Sequence, residues 1–176
     1  MNLWSATWTD VADSETDLAL MPVGSTEQHG PHAPLGTDVI TAEAIAEAGS
    51  AVFDEDPLLT PAIPIGVAEG HRHFPGTMWV SPDTFRAYVR EAAESLTAHG
   101  VSRIVFVNGH GGNVDALQEV AADLSRHSGT YAVSFTWFEA IGVQWGEMGH
   151  GGPLETALLR HLSDTYVRAA NSLPGD

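Results

Sequence analysis

The stretch Val101-Ser102-Arg103-Ile104-Val105-Phe106-Val107, followed by Asn108-Gly109-His110-Gly111-Gly112-Asn113, decides the fold. Its Ile-Val-Phe-Val run is too continuous for a strand with one wet face. It predicts a central strand of a parallel sheet, covered on both sides. The glycines around His110 let the chain turn sharply at the strand end, and Asn113 is placed to cap a helix that runs to about His127. Outward from this unit the alternation repeats. Leu18 to Val23 is a short apolar run ended by Gly24, and residues 39–48 carry Ile40, Ala44, Ile45 and Ala48 at helical spacing. Leu58 to Val67 reads as a second strand interrupted by prolines, with a polar, Gly-rich loop from Ala68 to Thr77. Ser81-Pro82-Asp83 opens a helix with a capping side chain, a proline at the first position and an acid at the positive end, and Gly100 closes it. Tyr131 to Thr136 is a fourth strand, and a last helix starts near Pro153. The order β-α-β-α-β-α-β-α predicts a three-layer α/β/α sandwich with a mainly parallel central sheet.

A chain of 176 residues, 43% apolar, can bury one good core, so a single domain over residues 1–176 is expected. The 23 acidic residues face 7 basic ones, all Arg, for a formal charge of −16. That surface repels phosphate backbones and anionic lipid, so neither nucleic acid nor membrane is an expected partner. The carboxylates are dispersed through elements with apolar periodicity, as suits a halophilic protein whose self-repulsion is screened over about 3 Å at 1 M salt. With no Cys, disulfides, thiolate zinc sites and cysteine nucleophiles are excluded, and any metal must be held by His and carboxylate. The N-terminus has no basic and apolar leader pattern and no apolar run reaches about 18 residues, so a cytoplasmic location is expected.

Metal-type donors follow every strand. Glu27, His29, His32 and Asp38 follow the first, His71 and His73 the second, His110 the third and His150 the fourth. In parallel α/β sheets ligands bind beyond the carboxyl ends of the strands, so these groups can converge on one pocket. In an extended segment Glu27 and His29 point to the same side and could grip one metal or an adjacent pair. Asp38 could bridge two ions about 3.5–4 Å apart, or serve as a helix N-cap, and the two roles are compatible. His32, His71 and His73 stand open between ligand and structural roles. His150 is either a proton shuttle to a leaving amine or a ligand, and Glu155 either a ligand or an acid favouring a helix N-terminus. The Gly-rich turns carry no Lys or Arg, which argues against phosphate cradles, and there is no Gly-x-Ser-x-Gly elbow. The five Trp residues are expected in core or pocket wall, and Trp145 is a candidate to line the pocket.

Four blocks carry a resemblance: Val23 to His32 with Leu35 to Asp38, His71 to Thr77, Asn108 to Asn113, and His150 to Thr156. Together they resemble the creatininase, or creatinine amidohydrolase, family, in the family's order from residue 22 to about 160. The resemblance implies an α/β sandwich with two divalent metal ions, zinc or manganese with iron also admitted, that hydrolyses amide-type C–N bonds, often as a homo-oligomer. By motif position it makes Glu27, His29, Asp38 and His110 metal ligands, with Asp38 bridging, and His150 the acid/base residue. In creatininase a glutamate ligand stands two residues after the third-block histidine. Gly112 occupies that place here, and Glu155 is the candidate to replace it, at the metal and beside His150 in catalysis. His71, Arg72 and Trp145 are the candidates for substrate contact. The family continues through a further strand and helix, which this chain, ending at Asp176, is expected to lack. The expected reaction is attack of a metal-bridging hydroxide on the amide or formamide carbonyl of a small molecule. The family also includes the mycofactocin-system peptidase and the archaeal formamide hydrolases acting on a ribosylaminopyrimidine phosphate in flavin and deazaflavin synthesis. The salt-adapted composition leans toward the latter, with Arg72 for the phosphate. A metal-binding or assembly module without catalysis is the alternative of another class.

Overall fold

The computed structural model describes residues 1–142 and 148–172. Four strands, β1 (Leu18–Val23), β2 (Leu58–Leu59), β3 (Arg103–Asn108) and β4 (Tyr131–Thr136), form one parallel sheet in the order β2-β1-β3-β4. Strand β3 is interior, as its unbroken apolar run requires, with Val23 opposite Asn108 on one side and Thr136 opposite Asn108 on the other. The period-2 alternation splits the strands between two cores. Ala19, Met21, Val23, Ile104 and Phe106 pack on α3 (Pro82–Thr97) and α4 (Val114–His127) through Phe85, Val89, Leu117, Val120 and Leu124. Leu20, Val105 and Val107 pack with Ile45 and Ala46 of α2 (Thr37–Ser50). A short α1 (Trp8–Ala12) precedes the sheet, α5 (Trp137–Ala140) follows β4, and α6 (Pro153–Leu162) packs against α2.

The second strand is far shorter than the expected 58–67. Only Leu58 and Leu59 pair with β1, joined by an isolated bridge from Ile63 to Val23. Pro57, Pro61 and Pro64 have no N–H to give to a ladder, so the segment follows the edge of β1 without forming a continuous strand. The helix starting at Ser81 is as expected: Ser81 accepts from Thr84 N–H at 3.3 Å, Pro82 is the first residue, and Gly100 ends the segment at φ +96°. Two other caps differ. Helix α2 is entered through Gly36, and Asp38 lies inside its first turn, so Asp38 is not an N-cap. Asn113 stands at the start of α4, but its side chain bonds elsewhere and makes no cap. The tryptophans are also corrected: Trp4 (82%), Trp8 (80%) and Trp79 (41%) are exposed and only Trp137 is buried among those described, while Trp145 lies outside the described residues. Helix α1 buries no residue, which is why Trp8 stays in solvent. No helix among the described residues is long and apolar enough to cross a membrane.

The strand order sets the site. The chain leaves β1 through α2 on one face toward β2, then returns past β1 to β3 and leaves through α4 on the other face. The loops after β1 and β3 therefore part at adjacent strand ends and open a crevice there.

Candidate metal centre

Five donors meet in that crevice. Glu27 and His29 come from the loop after β1, Asp38 from the first turn of α2, His110 from the turn after β3, and Glu155 from the first turn of α6; all five are buried. Bare backbone makes the meeting possible. A Cβ on Gly24 would lie 2.5 Å from Val39 N and 2.7 Å from the Asp38 carbonyl carbon. One on Gly109 would lie 3.0 Å from both the Asp38 carbonyl carbon and Thr41 Oγ1. The two glycines let both strand ends close on the start of α2, which sets Asp38 between the two loops.

Asp38 divides its carboxylate between two imidazoles. Oδ1 is 2.9 Å from His29 Nε2, and Oδ2 is 3.0 Å from His110 Nδ1. Glu155 Oε1 lies 3.5 Å from His29 Nε2, and Glu27 Oε1 lies 3.3 Å from His110 Nδ1. Two triads result, Glu27-Asp38-His110 and His29-Asp38-Glu155, each with its donor atoms within 4.8 Å of one another, and Asp38 belongs to both. The second nitrogen of each imidazole is tied to a backbone carbonyl: His29 Nδ1 to Glu27 O at 3.1 Å, His110 Nε2 to Val67 O at 3.0 Å. Such outer bonds hold the N–H outward and turn the free nitrogen to the centre, as metal-ligating histidines require.

The donor set fits a pair of divalent cations. Three buried carboxylates against two imidazoles leave an excess of negative charge, and such a charge is tolerated in a core only when paired or coordinated. Glu27 Oε2 is buried without a hydrogen-bond partner among the described residues. N and O donors of this type suit zinc and manganese. The charge balance also governs protons. Burial pushes the His29 imidazole down, yet Asp38 and then Glu155 outweigh it and raise its pKa to about 11. For His110 the same contest of burial against Asp38 and Glu27 ends at about 10. Burial pushes Asp38 up, but the two imidazoles hold it at about 2.

His150 and His71 form the wall of an adjoining cleft of about 430 Å³, which Phe138 and Met148 complete on the apolar side. The His150 ring lies 4.3 Å from His29 and 4.2 Å from His71 between centroids. Its Nε2 is bonded to Gln28 O and its Nδ1 is 3.5 Å from Glu27 Oε1. Burial, and then the charge on His29, lower its pKa. Glu155 also accepts from Gly151 N–H at 2.6 Å, so it stays with the turn that carries His150. At Gly112 a Cβ would fall 2.5 Å from His110 Nε2, and the turn has no room for a side chain there. Glu155, in the first turn of α6, has its carboxylate beside His29.

Other sequence candidates lie apart. Arg72 is half exposed, paired with Glu69 at 3.7 Å, and does not line the cleft; His73 is exposed. His32 bonds to Thr156 Oγ1 at 3.1 Å and ties the first loop to α6. His99 and His161 are exposed at helix ends, and His127 pairs with Asp123. Sequence reasoning missed the asparagines. Asn108 holds the His110 turn through His110 N–H at 3.1 Å and His110 O at 2.9 Å; Asn113 joins Val67 N–H to Gly24 O, both at 3.0 Å. Their position flanking a Gly-rich turn was the only signal.

A family model described as creatinine amidohydrolase matches residues 4–175. The chain belongs to the creatininase family. Within it, the mycofactocin precursor peptide peptidase of Mycolicibacterium smegmatis is 39% identical over 161 residues, covering 88% of this chain and 61% of the peptidase, so the chain spans about three fifths of that relative's length. Among solved structures, a mutant creatininase of the Zn-Zn type superposes with a TM-score of 0.84 at 23% identity, over 99% of this chain and 77% of the other. A manganese creatininase does so at 0.83 and 23%, with the same coverage. The creatininase fold is thus shared over nearly the whole chain.

Proposed function

We propose that this chain is a divalent-metal-dependent amide hydrolase whose substrate carries a peptide or peptide-like C–N bond. The observation that carries the reading is the Asp38 carboxylate, which offers one oxygen to each of two donor triads. Glu27, Asp38 and His110 would hold one ion, and His29, Asp38 and Glu155 the other. When bound, such a pair supplies a water acidified toward neutral pH and a Lewis acid for the scissile carbonyl. His150 moves the proton. Its Nε2–H is tied to Gln28 O, so Nδ1 is the free lone pair facing the centre, and its depressed pKa keeps that lone pair available at neutral pH. It takes a proton there and delivers it to the departing nitrogen. Phe138 and Met148 line the cleft with apolar surface that limits competing water.

Two considerations narrow the substrate. A phosphate-bearing formamide would need a cation in the cleft, and no Arg or Lys lines it among the described residues; Arg72 is paired outside. The similarity at 39% to a peptidase that acts on a precursor peptide favours a peptide amide over creatinine. The test is a panel assay on zinc- or manganese-loaded protein with creatinine, a formamidopyrimidine and N-acetyl tripeptides of apolar residues. Release of amine from a tripeptide, abolished by chelation and restored by metal, is expected. No metal-dependent release from any member would leave the metal-binding module without catalysis.

A further inference from the structure

Gln28 stands between two candidate ligands and is not itself a metal donor. Its side-chain amide is oriented by two hydrogen bonds: Gly30 N–H donates to Oε1 at 2.9 Å, and Nε2 lies 2.8 Å from His71 Nδ1. A backbone N–H can only donate, so the oxygen end of the amide faces Gly30 and the NH2 faces His71. An NH2 group can only donate in turn. His71 Nδ1 must therefore accept, and the ring hydrogen sits on Nε2. His71 lines the cleft, and one of its nitrogens belongs to a third group of converging donors, with Glu27 and His150. The Gln28 backbone carbonyl accepts from His150 Nε2. Gln28 thus sets the hydrogen positions of both cleft imidazoles, and sets them oppositely: His150 keeps a free lone pair, whereas the nitrogen left free on His71 carries a hydrogen.

We propose that Gln28 is a positioning residue that locks His71 as a hydrogen-bond donor to an acceptor oxygen, carbonyl or carboxylate, of the substrate bound in the cleft. This rests on the amide-hydrolase reading of the cleft. It divides the work between two neighbouring rings that chemistry alone would not distinguish. A base without a donor beside it would leave the substrate oxygen unpaired in a partly buried wall, at the cost of a lost hydrogen bond.

The test has two arms on zinc-loaded protein. In the first, nitrogen-15 NMR of histidine-labelled protein reads the His71 ring directly. Wild type should show the hydrogen on Nε2 and a bare Nδ1. Gln28→Glu, whose oxygens still serve Gly30 but can only accept from His71, should place a hydrogen on Nδ1. In the second arm, His71→Ala should raise KM for an N-acetyl tripeptide roughly tenfold with bound zinc unchanged. Gln28→Leu should raise KM by part of that amount, and the double variant should match His71→Ala alone. A hydrogen on Nδ1 in wild type, no change in Gln28→Glu, or a further loss when Gln28→Leu is added to His71→Ala would overturn the proposal whatever the substrate. Expected NMR with no tripeptide turnover by wild type would instead remove the hydrolase reading, and the role of Gln28 in it.

Discussion

Gly109→Ala tests how the centre is assembled, because it adds one methyl group without touching a donor. The new Cβ would press on the Asp38 carbonyl, with 3.0 Å to the carbonyl carbon and 3.0 Å to Thr41 Oγ1. The obstructing atoms include the backbone at the start of α2, so relief requires the helix to move relative to β3. Overpacking of this kind costs about 1–3 kcal/mol. In a chain of this length that lowers Tm by roughly 2–12 °C, at about 2–4 °C per kcal/mol. Displacing Asp38 from both imidazoles should also weaken zinc binding, by about 10–100-fold on the scale of disturbed ligand orientation. Gly49→Ala is the control. It lies in the last turn of α2 with nothing within 4 Å of a Cβ, and should raise stability by about 0.5–1 kcal/mol without affecting metal. The assays are thermal unfolding in the presence of a chelator and zinc titration by competition with a chromophoric chelator. Wild-type Tm and zinc affinity in Gly109→Ala would refute the idea that bare backbone at the strand ends sets Asp38.

Further outcomes follow from the same geometry. Glu155→Gln should weaken one ion by at least about tenfold and leave the other, so elemental analysis should find about one zinc per chain after dialysis. His150→Ala should lower kcat by about 10²–10⁴ with two ions retained; loss of metal in this variant would show that His150 is a ligand. In the metal-free chain, His29 at about 11 and His110 at about 10 both lie above the usual 6.5, so their contribution is complete below about pH 6.5 and is lost as pH rises through 10 and 11. Asp38 at about 2 lies below the usual 3.8, so its contribution is present above that value and is lost as pH falls through about 2. Tm of the chelated protein should therefore be highest between about pH 4 and 6.5 and decline toward pH 10, and zinc loading at pH 7 should release roughly two protons per chain. Calorimetry in buffers of different ionisation enthalpy measures that release, and none would contradict the protonated imidazoles.

The parts legible in the sequence were those whose cause is local. The apolar run of β3, the cap at Ser81 and the donors placed just beyond strand ends all announce themselves within a few residues, and the parallel sheet then brings Glu27, His29, Asp38 and His110 together. What stayed hidden depends on distant partners. Gln28, Asn108 and Asn113 bond to His71, Thr136, Val67 and Gly24, so their work is invisible without coordinates. Gly112 reads in the sequence as a missing ligand; in space it sits against His110 and Val67, and Glu155 supplies a carboxylate from α6. The second strand is shorter than its apolar run because Pro61 and Pro64, visible in the sequence as interruptions, cannot donate and end the ladder after Leu59. Hydrophobicity misplaced Trp4 and Trp8 for a related reason: it reports what a side chain prefers, whereas the short α1 offers no core for it to enter.

The most direct measurement is anomalous diffraction at the zinc edge, with elemental analysis of the same zinc-loaded protein. Two ions per chain are expected, about 3.5–4 Å apart, one bound with Glu27 and His110, the other with His29 and Glu155, and each taking one oxygen of Asp38. A single ion after full supplementation, or two ions that do not share Asp38, would contradict the account.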